Sequence, residues 1–276
     1  MNESSITVEE LEKLLDTLYM HFGYDFKGYA ASSLKRRVAH FMSANRIDSM
    51  ARLNERIMES RLFSEDLIRE LSVTVTELFR DPFYYKTLRE QATGRLATYP
   101  VIRVWVAGCA TGEEAYSLAI LLKEEGLLER TIIYATDINP RSVETARRGI
   151  YPLSSMKQYT ANYMAAGGTR SLSEYYLAKY DSVLMDRSLA ERIVFSTHNL
   201  VSDTVFNEFQ LITCRNVLIY FNRDLQNKVL DLFYQSLCTF GFLCLGNRES
   251  LLFSDKKKNF KEINKRERIY IKSAIQ

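Results

Sequence analysis

The chain has 276 residues, of which 46% are hydrophobic and 26% charged, proportions typical of a globular protein with a sizeable core. Its net charge of +3 is too small to indicate a nucleic-acid-binding protein. No apolar run suggests a membrane span or a secretory signal peptide. We therefore expect a cytoplasmic monomer that is not an integral membrane protein. Its four cysteines should be buried thiols, and its three histidines are too scattered for a metal site.

The first eighty residues predict a small all-helical domain. Thr7 to Glu10 form a capping box, and apolar residues from Val8 to Phe22 then recur on one helical face. Further helices are predicted at about 33–45, 49–59 and 64–73. We expect an all-helical domain at 1–80 and a second domain at 81–276.

A basic cluster lies on the second predicted helix. Five Lys or Arg residues and no acidic residue occur between Lys27 and Arg46. Lys35, Arg36 and Arg37 lie off the apolar face, so we expect them to point largely toward solvent. The cluster is either a solvated helix face or a docking surface for an acidic protein partner.

The segment 74–82 precedes another helix. Pro82 suits the first helical turn, with Asp81 as the N-cap residue. Arg80 beside this cap either forms a surface ion pair or binds a ligand carboxylate through its planar guanidinium.

Residues 103–122 predict a strand, a turn of small residues from Gly108 to Gly112, and a helix. This arrangement is typical of a nucleotide-like cofactor site at the edge of a parallel sheet. The turn lacks the G-x-G-x-x-G pattern of dinucleotide-binding proteins, and two carboxylates at the helix start would repel a pyrophosphate. Glu113 and Glu114 either interact favourably with the helix dipole or contact a cationic ligand. S-adenosylmethionine fits the second alternative, because it carries a sulfonium and an ammonium and no phosphate.

A second buried strand at 131–137 ends in Asp137. An acid at the end of the second strand commonly binds ribose hydroxyls. Alternatively, Asp137 caps the next helix, which is predicted to end near Arg148. Asn139 competes for that capping role, which would leave Asp137 available to a ligand.

The second half of the chain alternates strands and helices. The least regular part, 151–190, predicts an irregular strand or hairpin arm. Strands are predicted at 193–195, 209–214, 242–245 and 268–271, with a helix at 223–237 and Gly241 as a break. This order indicates an α/β fold with a mostly parallel sheet.

Four blocks in this order resemble the CheR family of chemotaxis receptor methyltransferases. They are TVTELFRDP, VWVAGCATGEEAYSLAI, ATDINPRSVETARRGIY, and CRNVLIYFN followed by a helix and GFLCLG. The resemblance covers nearly the whole chain. It implies a class I methyltransferase fold, a Rossmann-like mixed seven-stranded sheet, behind a small all-α domain and with an inserted β-subdomain, here at about 160–192. It also implies a protein-glutamate O-methyltransferase that uses S-adenosylmethionine and no metal, releases S-adenosylhomocysteine, and acts on a chemoreceptor or another glutamate-bearing signalling protein.

The resemblance also implies roles for individual residues. Thr74, Thr76 and Arg80 would lie at the methionine end of the cofactor. Glu114 would bind the cofactor amino group, with Glu113 as its neighbour. Asp137 would bind the ribose, and Asn199 and Leu200 would border the adenine. Arg215 and Asn216 would line the methyl-donor pocket, with Arg80 and Tyr220 as the catalytic pair.

The chain departs from the family in places. Family members commonly have Asn where Thr74 stands and Pro where Ala115 stands. The segment 165–190 differs from the short β-subdomain that grips a receptor C-terminal pentapeptide in some members, so that tether is not inferred. Two rival functions remain: a cofactor-binding sensor or scaffold, and a methyltransferase with a non-receptor protein target.

Overall fold

The N-terminal part of the computed structural model is all-helical, as predicted. The structure describes residues 6–72, 75–252 and 254–274. The first helices are α1 (Val8–Phe22), α2 (Ala31–Ala44), α3 (Met50–Glu59) and α4 (Arg61–Ser72). Thr7 begins α1 through the predicted capping box, since its hydroxyl accepts from the Glu10 N–H. These helices enclose an apolar core of their own between Ile6 and Leu71. The limits 1–80 and 81–276 stay predictions.

The second part alternates helices and strands. Its helices are α5 (Pro82–Gln91), α6 (Thr93–Leu96), α7 (Glu113–Glu124), α8 (Pro140–Arg148), α9 (Met156–Ala165), α10 (Arg187–Ala190) and α11 (Arg223–Ser236). Its strands are β1 (Ile102–Ala107), β2 (Thr131–Asp137), β3 (Ile150–Pro152), β4 (Tyr176–Lys179), β5 (Ser182–Met185), β6 (Ile193–Thr197), β7 (Phe209–Cys214), β8 (Leu237–Leu245), β9 (Phe260–Asn264) and β10 (Ile269–Lys272).

Seven of these strands form one mixed sheet in the order β6-β2-β1-β7-β8-β10-β9. The strands from β6 to β8 run parallel, and β10 is antiparallel to both its neighbours. The class I methyltransferase fold is therefore confirmed. From β1 the chain passes to β2 on one side of β1, and it later returns to form β7 on the other side of β1. This reversal of strand order lies between β1 and β7, where ligands bind in open α/β sheets.

Apolar side chains cover both faces of this sheet. Strand β1 explains why, because five of its six residues are buried and they alternate between the two cores. Val104 and Val106 pack with α7, whereas Trp105 packs with α11 through Phe233. The sheet is thus buried on both sides and holds its carboxyl-end loops on a rigid base.

A separate antiparallel sheet of three strands has the order β3-β5-β4. It corresponds to the inserted β-subdomain that was expected. Its first strand, Ile150–Pro152, lies ahead of the predicted insertion at about 160–192, whose limits stay a prediction.

Two sequence-based expectations about the C-terminal strands were wrong. Gly241 does not separate a helix from a strand, because β8 begins at Leu237 and runs through it. Strand β9 was not predicted, since its exposed Lys261 and Glu262 hide the apolar pattern. Charged residues are usual on such an edge strand, where they discourage pairing with other chains. In the described ranges, no helix is both long and apolar enough to cross a membrane.

Candidate active site

A cavity opens at the carboxyl ends of β1, β2 and β7, where the strand order reverses. The cavity collects nine of the residues singled out from the sequence: Thr76, Arg80, Glu114, Asp137, Asn199, Leu200, Arg215, Asn216 and Tyr220.

The small-residue turn between β1 and α7 forms the floor of this cavity. Gly108 and Gly112 have φ values of 77° and 96°, in the left-handed region that favours glycine. A Cβ atom at Gly108 would lie 2.4 Å from Val217, and one at Gly112 would lie 2.6 Å from the Cβ of Ala146. The turn therefore needs glycine both for its backbone conformation and for close packing.

Asp137 fixes the shape of this turn from the end of β2. Its carboxylate accepts hydrogen bonds from the Ala110 and Asn139 N–H groups, both at 2.9 Å. Asn139 is the N-cap of α8, so the alternative in which Asp137 caps this helix is wrong. Burial raises the pKa of the Asp137 carboxyl above its ordinary value, although these N–H donors oppose the rise. A carboxylate oxygen has two lone pairs, which leaves capacity for ligand hydroxyls.

Glu114 and Arg215 form a buried polar pair at the opposite wall. The Arg215 side chain is 1% exposed, and its guanidinium lies 3.9 Å from a Glu114 carboxylate oxygen. Thr213, at the end of β7, donates its hydroxyl to the other oxygen. Burial raises the pKa of Glu114, and Arg215 and Thr213 offset only part of that rise. A further cationic partner would therefore stabilise the charged form of Glu114.

Asp81 is the N-cap residue of α5, as predicted, but its side chain anchors Arg215 instead of capping the helix. Its backbone is left-handed at φ 57°, and its side chain makes no capping hydrogen bond. Instead its carboxylate accepts from the Arg215 guanidinium at 2.8 Å. The same guanidinium packs 4.1 Å from the ring centre of Tyr84 and donates to the Arg80 carbonyl. The segment around Arg80 is thereby attached to the end of β7.

Tyr220 is held by the N-terminal domain. Its carbonyl accepts from the Ala30 N–H at 2.7 Å, and Arg37 lies 5.0 Å over its ring centre. Arg37 also donates to the Glu70 carbonyl. The expectation that Arg37 points to solvent was therefore wrong: burial lowers its pKa, and it packs between the two domains. Arg36 is exposed and Lys35 is partly exposed.

One predicted residue, Glu113, is not brought into the cavity. Glu113 turns away from it, accepts from the Thr111 hydroxyl at 2.7 Å and is 5% exposed. Burial raises the pKa of Glu113 to about 7. Thr74 lies outside the described residues, so its predicted role stays a prediction.

Sequence reasoning missed two aromatic walls of the cavity. Tyr29, from the loop before α2, stacks edge-on against Phe221 at 4.8 Å. His198 packs against Trp105 at 5.2 Å, and its side chain is 9% exposed. Burial lowers the pKa of His198, which favours the neutral ring. For His198 the only available signal was its position next to Asn199.

Two family models match the chain. The CheR methyltransferase SAM-binding domain matches residues 74–269, and the CheR methyltransferase all-alpha domain matches residues 9–72. The chain belongs to the CheR methyltransferase family and contains its S-adenosylmethionine-binding domain.

Relatives among known proteins support this membership. Cher3 of Pseudomonas putida is 47% identical over 264 residues, which cover 96% of this chain and 97% of that protein. The chemotaxis protein methyltransferase of Salmonella typhimurium is 33% identical, over 77% of this chain and 70% of its own. A 104.1 kDa protein of Rhodobacter capsulatus is 31% identical over 95% of this chain, which spans 27% of that larger protein.

The charges around the cavity suit S-adenosylmethionine. Glu114 and Asp137 offer anions to an ammonium and to ribose hydroxyls, and Arg80 offers a cation to a carboxylate. Within the described segments, no group of His, Cys, Asp and Glu residues could hold a metal ion.

Proposed function

We propose that this chain transfers the methyl group of S-adenosylmethionine to glutamate side chains of a chemoreceptor cytoplasmic domain, forming glutamate methyl esters and S-adenosylhomocysteine. The observation that carries the proposal is the single cavity that gathers Arg80, Glu114, Asp137, Arg215 and Tyr220. The chemotaxis methyltransferases among the relatives support the choice of substrate.

The chain's residues would bind the cofactor by charge and by shape. Glu114 would accept the amino group, because its buried carboxylate lacks full compensation from Arg215. Arg80 would bind the carboxylate at the same end, and Asp137 the ribose. His198, Asn199 and Leu200 would border the adenine. The sulfonium supplies an electrophilic methyl group, so the protein need not activate it.

The acceptor requires little proton chemistry. A glutamate side chain has an ordinary pKa of about 4.3 and is already a carboxylate at neutral pH. The cavity would therefore contribute positioning and exclusion of water, an effect that can reach roughly 7–11 kcal/mol in well-oriented reactions. Tyr220 and Arg80 are the residues we expect to face the acceptor, so their loss should reduce turnover more than folded stability.

The basic cluster on α2 would dock the acidic substrate. Lys35 and Arg36 lie on the same helix as Arg37, whose guanidinium packs on Tyr220 at the cavity. An acidic helix bound along α2 would therefore approach the cavity directly. Arg37 would hold Tyr220 in position, whereas Lys35 and Arg36 would attract the acidic substrate.

The test is methyl transfer to a purified chemoreceptor cytoplasmic fragment from S-adenosylmethionine labelled in its methyl group. Labelled protein that releases labelled methanol in mild alkali indicates an ester, and mass spectrometry identifies the glutamates. The matched control is a fragment in which those glutamates are replaced by glutamine.

A folded enzyme that binds S-adenosylhomocysteine but labels neither the fragment nor any protein in an extract of its source cell would support the sensor or scaffold alternative. Label in other proteins alone would support a non-receptor target. Label that survives alkali would exclude the ester.

A further inference from the structure

Glu249 is a buried carboxylate that the functions above do not use. It lies in the turn after β8 and is 4% exposed. Its two oxygens accept four main-chain hydrogen bonds. One oxygen accepts from the N–H groups of Asn216 at 3.0 Å and Gly246 at 2.6 Å. The other accepts from those of Val217 at 2.8 Å and Ile219 at 3.3 Å.

Three of these four donors belong to the loop that follows β7. That loop contributes Asn216, Val217 and Tyr220 to the cavity wall. Asn216 has a φ of 61°, a left-handed conformation that asparagine adopts more readily than most residues with a side chain. Buried N–H groups also need acceptors, and successive N–H groups in a tight loop cannot all find them in regular structure. The Glu249 carboxylate satisfies them together and stabilises the conformation.

We propose that Glu249 is a positioning residue that holds the 216–220 loop in the conformation that shapes the cofactor pocket. Glu249 itself is absent from the cavity wall and acts through the main chain of Asn216, Val217 and Ile219. The part of this inference that concerns turnover rests on the proposed function, whereas the part that concerns cofactor binding rests on the family's cofactor-binding domain.

Replacement of Glu249 by glutamine tests whether the carboxylate is needed as a hydrogen-bond acceptor or whether the side chain only fills space. The variant Glu249→Gln keeps the size and shape of the side chain, but one carboxylate oxygen becomes an NH₂ donor. Each oxygen of Glu249 serves two N–H groups, so either orientation of the amide leaves two loop or turn donors facing another donor. Glu249→Asp keeps the charge and all acceptor capacity on a shorter stem, so it should recover most of the function.

Gly246 provides an independent way to disturb the same contact. A Cβ atom there would lie 2.7 Å from a Glu249 carboxylate oxygen and 2.8 Å from the Asn216 nitrogen. Gly246→Ala should therefore push the carboxylate and the loop apart without changing the charge. Since both changes act on one contact, their combination should weaken binding by less than the product of the two separate effects.

The experiment measures S-adenosylhomocysteine affinity by calorimetry, turnover on the receptor fragment at saturating cofactor, and thermal unfolding, for the full chain. Glu124→Gln is the matched control, because Glu124 is a buried, multiply hydrogen-bonded carboxylate outside the cavity. We expect Glu249→Gln to weaken S-adenosylhomocysteine about tenfold and to lower kcat at least tenfold, Gly246→Ala to act in the same direction, and Glu124→Gln to change neither by more than twofold.

The proposal is overturned if folded Glu249→Gln keeps both values within twofold of wild type, or if Glu124→Gln loses as much. If Glu249→Gln does not fold, Gly246→Ala decides by the same criterion. If the wild type does not methylate the fragment, the proposed substrate is wrong, and the S-adenosylhomocysteine titrations alone decide the role of Glu249.

Discussion

Helix α7 carries a glutamate near each end, and the pKa values of the two carboxyl groups are shifted in opposite directions. Glu114, in the first turn, lines the cavity, whereas Glu124, the last residue, is 1% exposed and lies outside it. The Glu124 side chain is 1% exposed and the Glu114 side chain 15%, and both are paired with an arginine. The comparison isolates what distinguishes a ligand site from a structural contact.

Glu124 is fully supplied with donors. It accepts from the Arg89 guanidinium and from the hydroxyls of Tyr163 and Tyr175. Burial acts to raise its pKa, but the hydrogen bonds from Tyr163 and Arg89 outweigh burial and lower it below the ordinary value. This carboxylate ties α7 to α5, to α9 and to the turn that precedes β4.

Glu114 is supplied with fewer donors. Thr213 donates to it, and Arg215 stands 3.9 Å away because its guanidinium is shared with Asp81. Its pKa stays above the ordinary value, mainly through burial. A buried carboxylate with unused capacity at a cavity is costly unless a ligand completes it, and such perturbed groups concentrate at functional sites.

The largest expected effect follows from removing Arg215. Arg215→Leu leaves Glu114 and Asp81 without their shared cation, and breaking a buried pair typically costs about 3–5 kcal/mol of folding free energy. Adding Glu114→Gln should recover part of that loss, since one uncompensated charge is gone. Denaturant unfolding measures both, with exposed Arg187→Leu as a control expected to change stability by under about 0.5 kcal/mol. A loss below about 1 kcal/mol for Arg215→Leu would contradict this account of the pair.

Asp137 should show an effect on both binding and folding. Asp137→Ala is expected to weaken S-adenosylmethionine and S-adenosylhomocysteine alike by about 1–3 kcal/mol, through lost hydrogen bonds to a charged group. It should also lower stability, because the N–H groups of Ala110 and Asn139 lose their acceptor. Calorimetry and thermal melts check the two effects. Unchanged affinity in a folded variant would remove Asp137 from the site.

The pH dependence should differ in sign between the two carboxylates. The pKa of Glu114 is raised, so the folded protein without ligand binds a proton at this carboxylate more tightly than the unfolded chain does. The contribution of Glu114 to stability therefore falls as the pH rises from the ordinary glutamate pKa through the raised pKa of the folded protein. The lowered pKa of Glu124 gives a contribution that is present above the ordinary pKa and is lost as pH falls through the folded one.

Ligand binding should report on Glu114 in particular. S-adenosylhomocysteine affinity is expected to decrease on acidification within the window above the ordinary glutamate pKa, because the ligand needs the carboxylate. Calorimetry of wild type against Glu114→Gln isolates this group from His198 and Asp137, which also titrate at the cavity. Identical pH profiles for the two proteins would be evidence against the role of Glu114.

The smallest effect is expected on the basic face of α2. Lys35→Glu with Arg36→Glu should raise KM for the receptor fragment a few-fold and flatten its salt dependence, because exposed charges contribute under about 1 kcal/mol each and are screened over about 8–10 Å. Arg37→Ala should instead lower kcat, since Arg37 packs on Tyr220. Methylation rates measured at low and high salt test this prediction. An unchanged KM and salt slope in the double variant would indicate a solvated helix face with no docking role.

The sequence was sufficient for the parts of the fold that local patterns specify. The strand, turn and helix around Gly108 and Gly112 could be predicted because backbone conformation and residue type are linked within a few positions. The seven-stranded sheet followed from the alternation of strands and helices, together with the family resemblance. Strand β9 escaped because an exposed edge strand carries charges where a buried one carries apolar residues.

Contacts that join distant segments could not be predicted from pattern alone. Asp81 looked like a helix cap, but it binds Arg215, 134 positions away. Arg37 looked solvent-exposed on its helix, but its guanidinium packs on the Tyr220 ring of the other domain. Glu249 gave no signal, because three of its four partners are main-chain N–H groups of a loop thirty or more positions earlier. Each depends on packing that only the folded chain creates.

The most direct test of the account compares Glu114→Gln with Glu124→Gln at neutral pH, by S-adenosylhomocysteine calorimetry and denaturant unfolding on the same preparations. We predict that Glu114→Gln weakens the ligand by about 1.5–3 kcal/mol, the typical contribution of a hydrogen bond to a charged group, and leaves stability unchanged or higher. Glu124→Gln should lose stability and bind the ligand like wild type. Equal ligand affinity in the two variants, or loss of stability from Glu114→Gln alone, would contradict the assignment of Glu114 as the cofactor's anchor.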